Sequence, residues 1–233
     1  MQELKHPYLS VNKDGCPSYG GNQGWSNSKV VRRCGCGAVA ATDVLFYLHQ
    51  NHPGFQSELF REVSDQAILP LETYNSLVDR MRKRYFLLIP HFGMNGLGIS
   101  LGMNGYFRSN HISMRANWGV WKGRIWQTVE RMLSEDIPVI CAVGPNMPFF
   151  WNKHKLRFYV RTKDGKYQSA AMTKAHYVTI TGIDERWLKI SSWGREYYIS
   201  REEYDRYAAK HSSYLVSNIV NLMPARSRLG RKK

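Results

Sequence analysis

The chain has 233 residues, 43% of them apolar and 22% charged, and a formal net charge of +15. That balance excludes a disordered chain and is long enough for a sizeable core. It does not exclude an anionic partner, because so large a positive charge attracts polyanions and anionic surfaces.

Taken in chain order, Met1–Pro7 is polar and offers no apolar export signal, so a cytoplasmic location is the default expectation. Residues 10–33 are rich in Gly, Ser and Asn and read as an irregular arm. Residues 37–50 carry Asp43 as their one charge and are otherwise largely apolar, which predicts a helix buried nearly all round. Asn51-His52-Pro53-Gly54 breaks it. Further helices are expected over Leu59–Ile68 and Glu72–Tyr85. The second shows Tyr74, Leu77, Val78 and Met81 at helical spacing and Arg80, Arg82, Lys83 and Arg84 elsewhere around it. Gly93–Gly105 holds Gly-Met-Asn-Gly twice and reads as a Gly-rich helix–loop element without the Lys-Ser/Thr of a phosphate loop. Trp121–Leu133 is a helix candidate.

The period then changes. Ile137–Val143, Arg157–Arg161, Tyr167–Ala171, His176–Ile183, Trp187–Ser191 and Tyr197–Ser200 are short, β-rich and separated by turns. Arg201–Lys210 reads as a short helix and Tyr214–Leu222 as a last strand. Helices first and strands second predict an α+β protein, a helical lobe facing an antiparallel sheet. The expected organisation is one domain over 1–224, with a helical lobe at about 36–135 and a sheet lobe at about 136–224, then a flexible basic tail over 225–233. That tail has five cations and no acid. No stretch approaches the roughly 20 apolar residues of a membrane span.

The cysteines (16, 34, 36 and 141) do not form a disulfide framework, and Cys34-Gly35-Cys36 misses the spacing of zinc and redox sites. No metal or organic cofactor site is evident. Cys36 stands at the start of the buried helix, where unpaired backbone N–H groups and the helix dipole favour a thiolate. Cys34 is the alternative if the helix begins earlier; Arg32 and Arg33 are near enough in sequence to lower either thiol. His176 opens a strand on the sheet half, and a His that takes the thiol proton completes an activated nucleophile.

The segments Gly20-Gly-Asn-Gln-Gly-Trp25, Cys36-Gly-Ala-Val-Ala-Ala, Glu135-Asp-Ile-Pro-Val-Ile140, His176-Tyr-Val-Thr-Ile-Thr-Gly-Ile and Ser191-Ser-Trp-Gly194 occur in that order. As a set they resemble papain-like cysteine peptidases, in particular the bacteriocin-processing (double-glycine leader) peptidases and their bacterial relatives. The resemblance implies Cys36 as nucleophile, His176 as general base, Gln23 as oxyanion donor, Ser191 at the imidazole-orienting position and Trp193 as a shield over the histidine. Two departures stand out. Gln23 lies thirteen residues before Cys36, farther than in the family, so residues 27–33 must fold out for it to reach. A serine also stands where the family has Asn or Asp. Strand alternation gives a different orienting residue: a three-residue turn at Asp184-Glu185-Arg186 pairs Ile190 with Ile180 and puts Ser192, not Ser191, on the face of His176. A carboxylate, Asp43 or Asp184, is a further candidate, as is a bare Cys-His dyad.

The expected function is a thiol hydrolase acting on peptide or isopeptide bonds of a peptide or protein substrate. Alternatives are acyl transfer on the same residues and a catalytically impaired module that grips peptide in the cleft. The basic tail suggests an anionic surface or polymer as a further partner; no specific nucleic-acid reader motif is present.

Overall fold

The computed structural model describes residues 1–89 and 93–225; His91 and residues 226–233 of the basic tail lie outside them. Helices are α1 (Lys29–Cys34), α2 (Cys36–Asn51), α3 (Glu58–Arg61), α4 (Leu71–Tyr85), α5 (Gly96–Ser109), α6 (Ile125–Ser134) and α7 (Arg201–Lys210). Strands are β1 (Gln2–Glu3), β2 (Ser10–Lys13), β3 (Cys16–Pro17), β4 (Ile68–Pro70), β5 (Met114–Trp118), β6 (Val139–Val143), β7 (Leu156–Arg161), β8 (Tyr167–Thr173), β9 (His176–Ile183), β10 (Trp187–Ser192), β11 (Arg195–Ser200) and β12 (Val220–Pro224). The chain is thus α+β.

The main sheet runs β9-β10-β11-β7-β8, with β6 and β1 both pairing the outer side of β9. All its pairings are antiparallel. Strand β9 is buried along nearly its whole length because it has neighbours on both edges and α2 and α6 packed on it. Helix α2 has no solvent face: Gly37 through His49 are buried without interruption. It meets β9 and β6, and its remaining surface meets α4 and α5. One apolar cluster includes Leu45 and Phe46 of α2, Leu77 and Met81 of α4, Ile99 and Met103 of α5, and Val178 and Ile180 of β9.

Several sequence expectations need correction. Leu59–Ile68 is not a helix. Only Glu58–Arg61 is α-helical there, and Ile68 begins β4. The Gln50 amide donates to the carbonyls of Ser64 and Gln66, which a continuing helix would keep for its own amides. The last strand begins at Val220, not Tyr214, because Ser217 N–H bonds the Ser213 carbonyl and Asn218 Nδ2 bonds that of Tyr214, closing a turn. Helix α6 starts at Ile125, after a 3-10 turn over Lys122–Arg124. The 10–33 arm contains β2, β3, a 3-10 turn at Gln23–Trp25 and α1. Strand β5 has no local sequence signal; its partner β12 lies about a hundred residues downstream, beyond the reach of local pattern. No helix among the described residues is long and apolar enough to cross a membrane.

The second Gly-Met-Asn-Gly lies inside α5. A Cβ on Gly102 would sit 2.4 Å from Phe86 Cδ1 and 2.5 Å from the Tyr85 carbonyl, whereas one on Gly105 meets only Tyr85 Cδ1 at 3.7 Å. Gly102→Ala is expected to destabilise by about 1–3 kcal/mol through overpacking. Gly105→Ala is expected to be neutral or stabilising by up to about 1 kcal/mol, from helix propensity. Urea-unfolding midpoints of the two variants check this; equal effects would contradict the α5 packing.

Candidate active site

Helix α2 begins at Cys36 with Gly35 as its cap, and no side chain caps the first turn. Val39 N–H already bonds the Gly35 carbonyl, so the amides of Cys36, Gly37 and Ala38 are those that a helix start leaves unpaired. Glycine is needed on both sides of the cysteine. A Cβ on Gly35 would lie 2.6 Å from the Val31 carbonyl of α1, and one on Gly37 would lie 3.0 Å from Ile99 Cδ1 and 3.3 Å from Tyr177 Cδ2. The helix end therefore seats directly against the residue that follows His176.

The strand brings the imidazole to the same place. Ala175, at φ +53°, turns the chain into β9, and Val143 of β6 pairs with His176. His176 Nε2 and Ser192 Oγ are hydrogen-bonded at 2.8 Å. The indole of Trp193 stacks on the imidazole, with ring centroids 4.6 Å apart and planes 19° from parallel. Trp193 and Gly194 form the two-residue β10–β11 hairpin turn, with φ +51° and +73°, the signature of a type I′ turn. A tryptophan in that conformation is strained by about 1 kcal/mol; its stacking on His176 and its tilted contact with Phe158, at 5.5 Å, offset this.

The glycine-rich arm is sewn onto that hairpin. Gly194 N–H donates to the Gly21 carbonyl at 2.9 Å, Tyr19 N–H to the Gly194 carbonyl at 3.0 Å and Asn22 Nδ2 to the Trp193 carbonyl at 3.1 Å. Gly21, Gln23, Cys36, His176, Ser192 and Trp193 all border one cavity. It offers about 20 Å³ to a water-sized sphere, room for one water. The shared cavity, not a hydrogen bond between them, is what joins Cys36 to His176.

Each sequence-predicted residue can now be placed. Cys36 is on the cavity wall and partly exposed; Cys34 instead donates its thiol to the Val30 carbonyl at 3.1 Å. Gln23 borders the cavity although residues 29–34 intervene as α1, because α1 folds back on it: Gln23 Nε2 donates to the Arg32 carbonyl at 3.0 Å. Its Oε1 is buried without a protein partner. Ser191 does not orient the histidine. Its hydroxyl donates to the Tyr19 carbonyl at 2.8 Å, and Ser192 makes the imidazole contact. The turn is one residue longer than the expected Asp184-Glu185-Arg186, since Leu188 and not Trp187 pairs with Ile183; a bulge between Lys189 and Ile190 then restores the expected pairing of Ile190 with Ile180. Asp184 is spent on the β9–β10 turn, accepting from the Arg186 and Trp187 amides.

Electrostatics correct a second expectation. Burial pushes the Cys36 thiol up, and the pull of the Tyr177 and Gly37 amides does not reverse it. Burial alone lowers His176 from 6.5 to about 4. The resting pair is a neutral thiol and a neutral imidazole, not a thiolate stabilised by the helix start: desolvation wins over the dipole.

Asp43 is the residue whose role sequence reading left open. It lies two turns below Cys36 on the same face of α2 and also borders the cavity. It bonds the arm rather than the histidine: Gly21 N–H donates to Oδ2 at 2.8 Å and Tyr74 OH to Oδ1 at 2.6 Å. Burial raises its pKa to about 7 despite both donors. The clue in the sequence is a single charge inside a largely apolar helix.

Among the described residues no group of three or more His, Cys, Asp or Glu has the arrangement of a metal site. No protein-family model matches the chain, and searches of characterised proteins and of solved structures return no match.

Protonation gives a stability signature. Folded Asp43 holds its proton up to about pH 7 while an unfolded Asp loses it near 4, so this group contributes stability at low pH that is lost as pH rises from about 4 to 7. His176, depressed to about 4, acts oppositely: protonation of the unfolded chain below about 6.5 removes stability as pH falls. The two slopes mask each other. In Asp43→Asn the falling contribution is gone, so the variant's stability relative to the parent is expected to rise steadily from pH 4 to 7. Denaturant midpoints at several pH values test this; a flat difference would contradict it.

Proposed function

We propose that this protein is a papain-like thiol hydrolase that cleaves peptide or isopeptide bonds. The observation that carries the reading is the engagement of His176 Nε2 by Ser192 on a cavity wall shared with Cys36 and Gln23. With Ser192 accepting from Nε2–H, the lone pair sits on Nδ1, the nitrogen left to take the thiol proton.

The steps follow. Cys36 Sγ bonds the substrate carbonyl carbon as its proton passes to His176 Nδ1. The carbonyl oxygen gains the electron pair and is met by the Cys36 N–H and by the second hydrogen of Gln23 Nε2, whose first stays on the Arg32 carbonyl. The C–N bond then breaks, the imidazolium proton goes to the leaving amine, and a thioester remains. Water attacks the thioester with His176 again taking a proton, and the C–S bond breaks to return the thiol. An amine in place of water makes the same cycle an acyl transfer. Ser192 orients the ring without adding charge, so the imidazolium is less stabilised than beside an aspartate.

A second reading, a papain-like module that grips peptide without cleaving it, draws on the neutral resting pair and the water-sized cavity. A peptidyl electrophile separates the two. The hydrolase reading expects Cys36 to be labelled faster than the exposed Cys16, and His176→Ala to slow that labelling by about 100-fold or more. Gln23→Ala is expected to lower kcat for a cleaved substrate by about 10²–10³. Because the thiol is raised, the labelling rate should climb beyond pH 8.5 instead of levelling off in the acid range. Labelling of Cys36 no faster than of Cys16 would favour the binding module.

A further inference from the structure

The loop between β6 and β7 has an apolar tip that nothing in the catalytic reading uses. Its base is fixed. Met147 N–H donates to the His211 carbonyl at 3.1 Å, Asn146 Nδ2 donates to the His154 carbonyl at 3.1 Å, and the rings of His154 and His211 stack at 3.9 Å. Beyond this base, Phe149, Phe150 and Trp151 stand 50%, 61% and 73% exposed. Three consecutive aromatics left in water are a costly arrangement for a surface that stays wet.

Their surroundings are cationic. Exposed Lys153 and Lys155 follow directly, and Lys174 Nζ reaches the carbonyls of Phe150 and Asn152. From Ile137 to Ile183 the chain carries seven Lys and Arg and one acid, Asp164. Aromatic side chains at a loop tip with lysines set just behind them match an anionic bilayer: rings enter the headgroup boundary while ammonium groups meet lipid phosphates.

We infer that the Phe149-Phe150-Trp151 tip docks this protein on anionic membrane surfaces, with Lys153 and Lys155 contacting the headgroups and Lys174 bracing the loop through the Phe150 and Asn152 carbonyls. Single-stranded nucleic acid, which also takes aromatic and basic groups, is disfavoured by the rings themselves. Phe149 and Trp151 pack on each other at 5.2 Å and 38°, a compact wedge instead of separate platforms for successive bases. The loop leaves the sheet at Val143, the partner of His176, and Ala175 N–H bonds the Gly144 carbonyl at 3.3 Å. Docking therefore presents the cavity end of the sheet to the membrane. The inference does not depend on catalysis.

The test is co-sedimentation of the full chain with phosphatidylcholine vesicles, with and without phosphatidylglycerol, at about 0.1 M salt. Partition is expected to be at least about tenfold stronger with the anionic lipid, and to fall about tenfold or more in the combined Phe149→Ser, Phe150→Ser, Trp151→Ser variant and in Lys153→Gln, Lys155→Gln. Brominated acyl chains should quench tryptophan fluorescence in the parent and do so less in Trp151→Phe, a readout independent of the serine variant. Cys36→Ala should bind vesicles like the parent. A serine variant that loses less than tenfold assigns binding to charge alone and overturns the inference. So does indifference to phosphatidylglycerol, or aromatic-dependent binding of a single-stranded oligonucleotide without vesicle binding.

Discussion

A helix with no solvent-facing side must be enclosed, and the enclosure of α2 determines where everything else goes. Its apolar surface is satisfied by β9 and β6 together with α4 and α5, the non-directional drive of burial acting on a directional element. Because Gly37 has no side chain, the Cys36 end seats against Ile99 and Tyr177, while Gly35 leaves room for Val31 of α1. The same burial strips water from Asp43, whose carboxyl oxygens then accept from the Gly21 amide and the Tyr74 hydroxyl. A packing requirement thus fixes the helix start against the sheet and holds the arm carrying Gln23 beside it.

The second half of the arrangement depends on the Trp193-Gly194 turn. Its strained tryptophan is held by the imidazole it covers, and its backbone binds residues 19–22 of the arm. Removing water from both sides of the site sets its electrostatics. The sulfur and the imidazole are each more costly to ionise than in solution, so the proposed hydrolysis would call for proton transfer in step with attack and not a standing ion pair.

Much of this was legible in the residues. The largely apolar run gave α2 and the 3.6-residue period gave α4; strand alternation preferred Ser192 over Ser191, although the turn it assumed is one residue too short and an unforeseeable bulge between Lys189 and Ile190 makes up the difference. Motif alignment alone pointed to Ser191, which instead anchors Tyr19. What stayed hidden was non-local. Gln50 reaching across to Ser64 and Gln66 ends a helix that propensity would extend. β5 exists because β12 returns to it. The state of Cys36 is decided by desolvation, a property of the packed interior, whereas the sequence displays only the helix start.

The central claim is that Cys36 and His176 act on one shared space, and ¹⁵N-histidine NMR reads it directly. The account expects the His176 ring to remain neutral at neutral pH with its proton on Nε2, and its resonances and its low titration midpoint of about 4 to move when Cys36 is capped by methylthiolation. A His176 signal that titrates near 6.5, or that ignores the cap on Cys36, would contradict it.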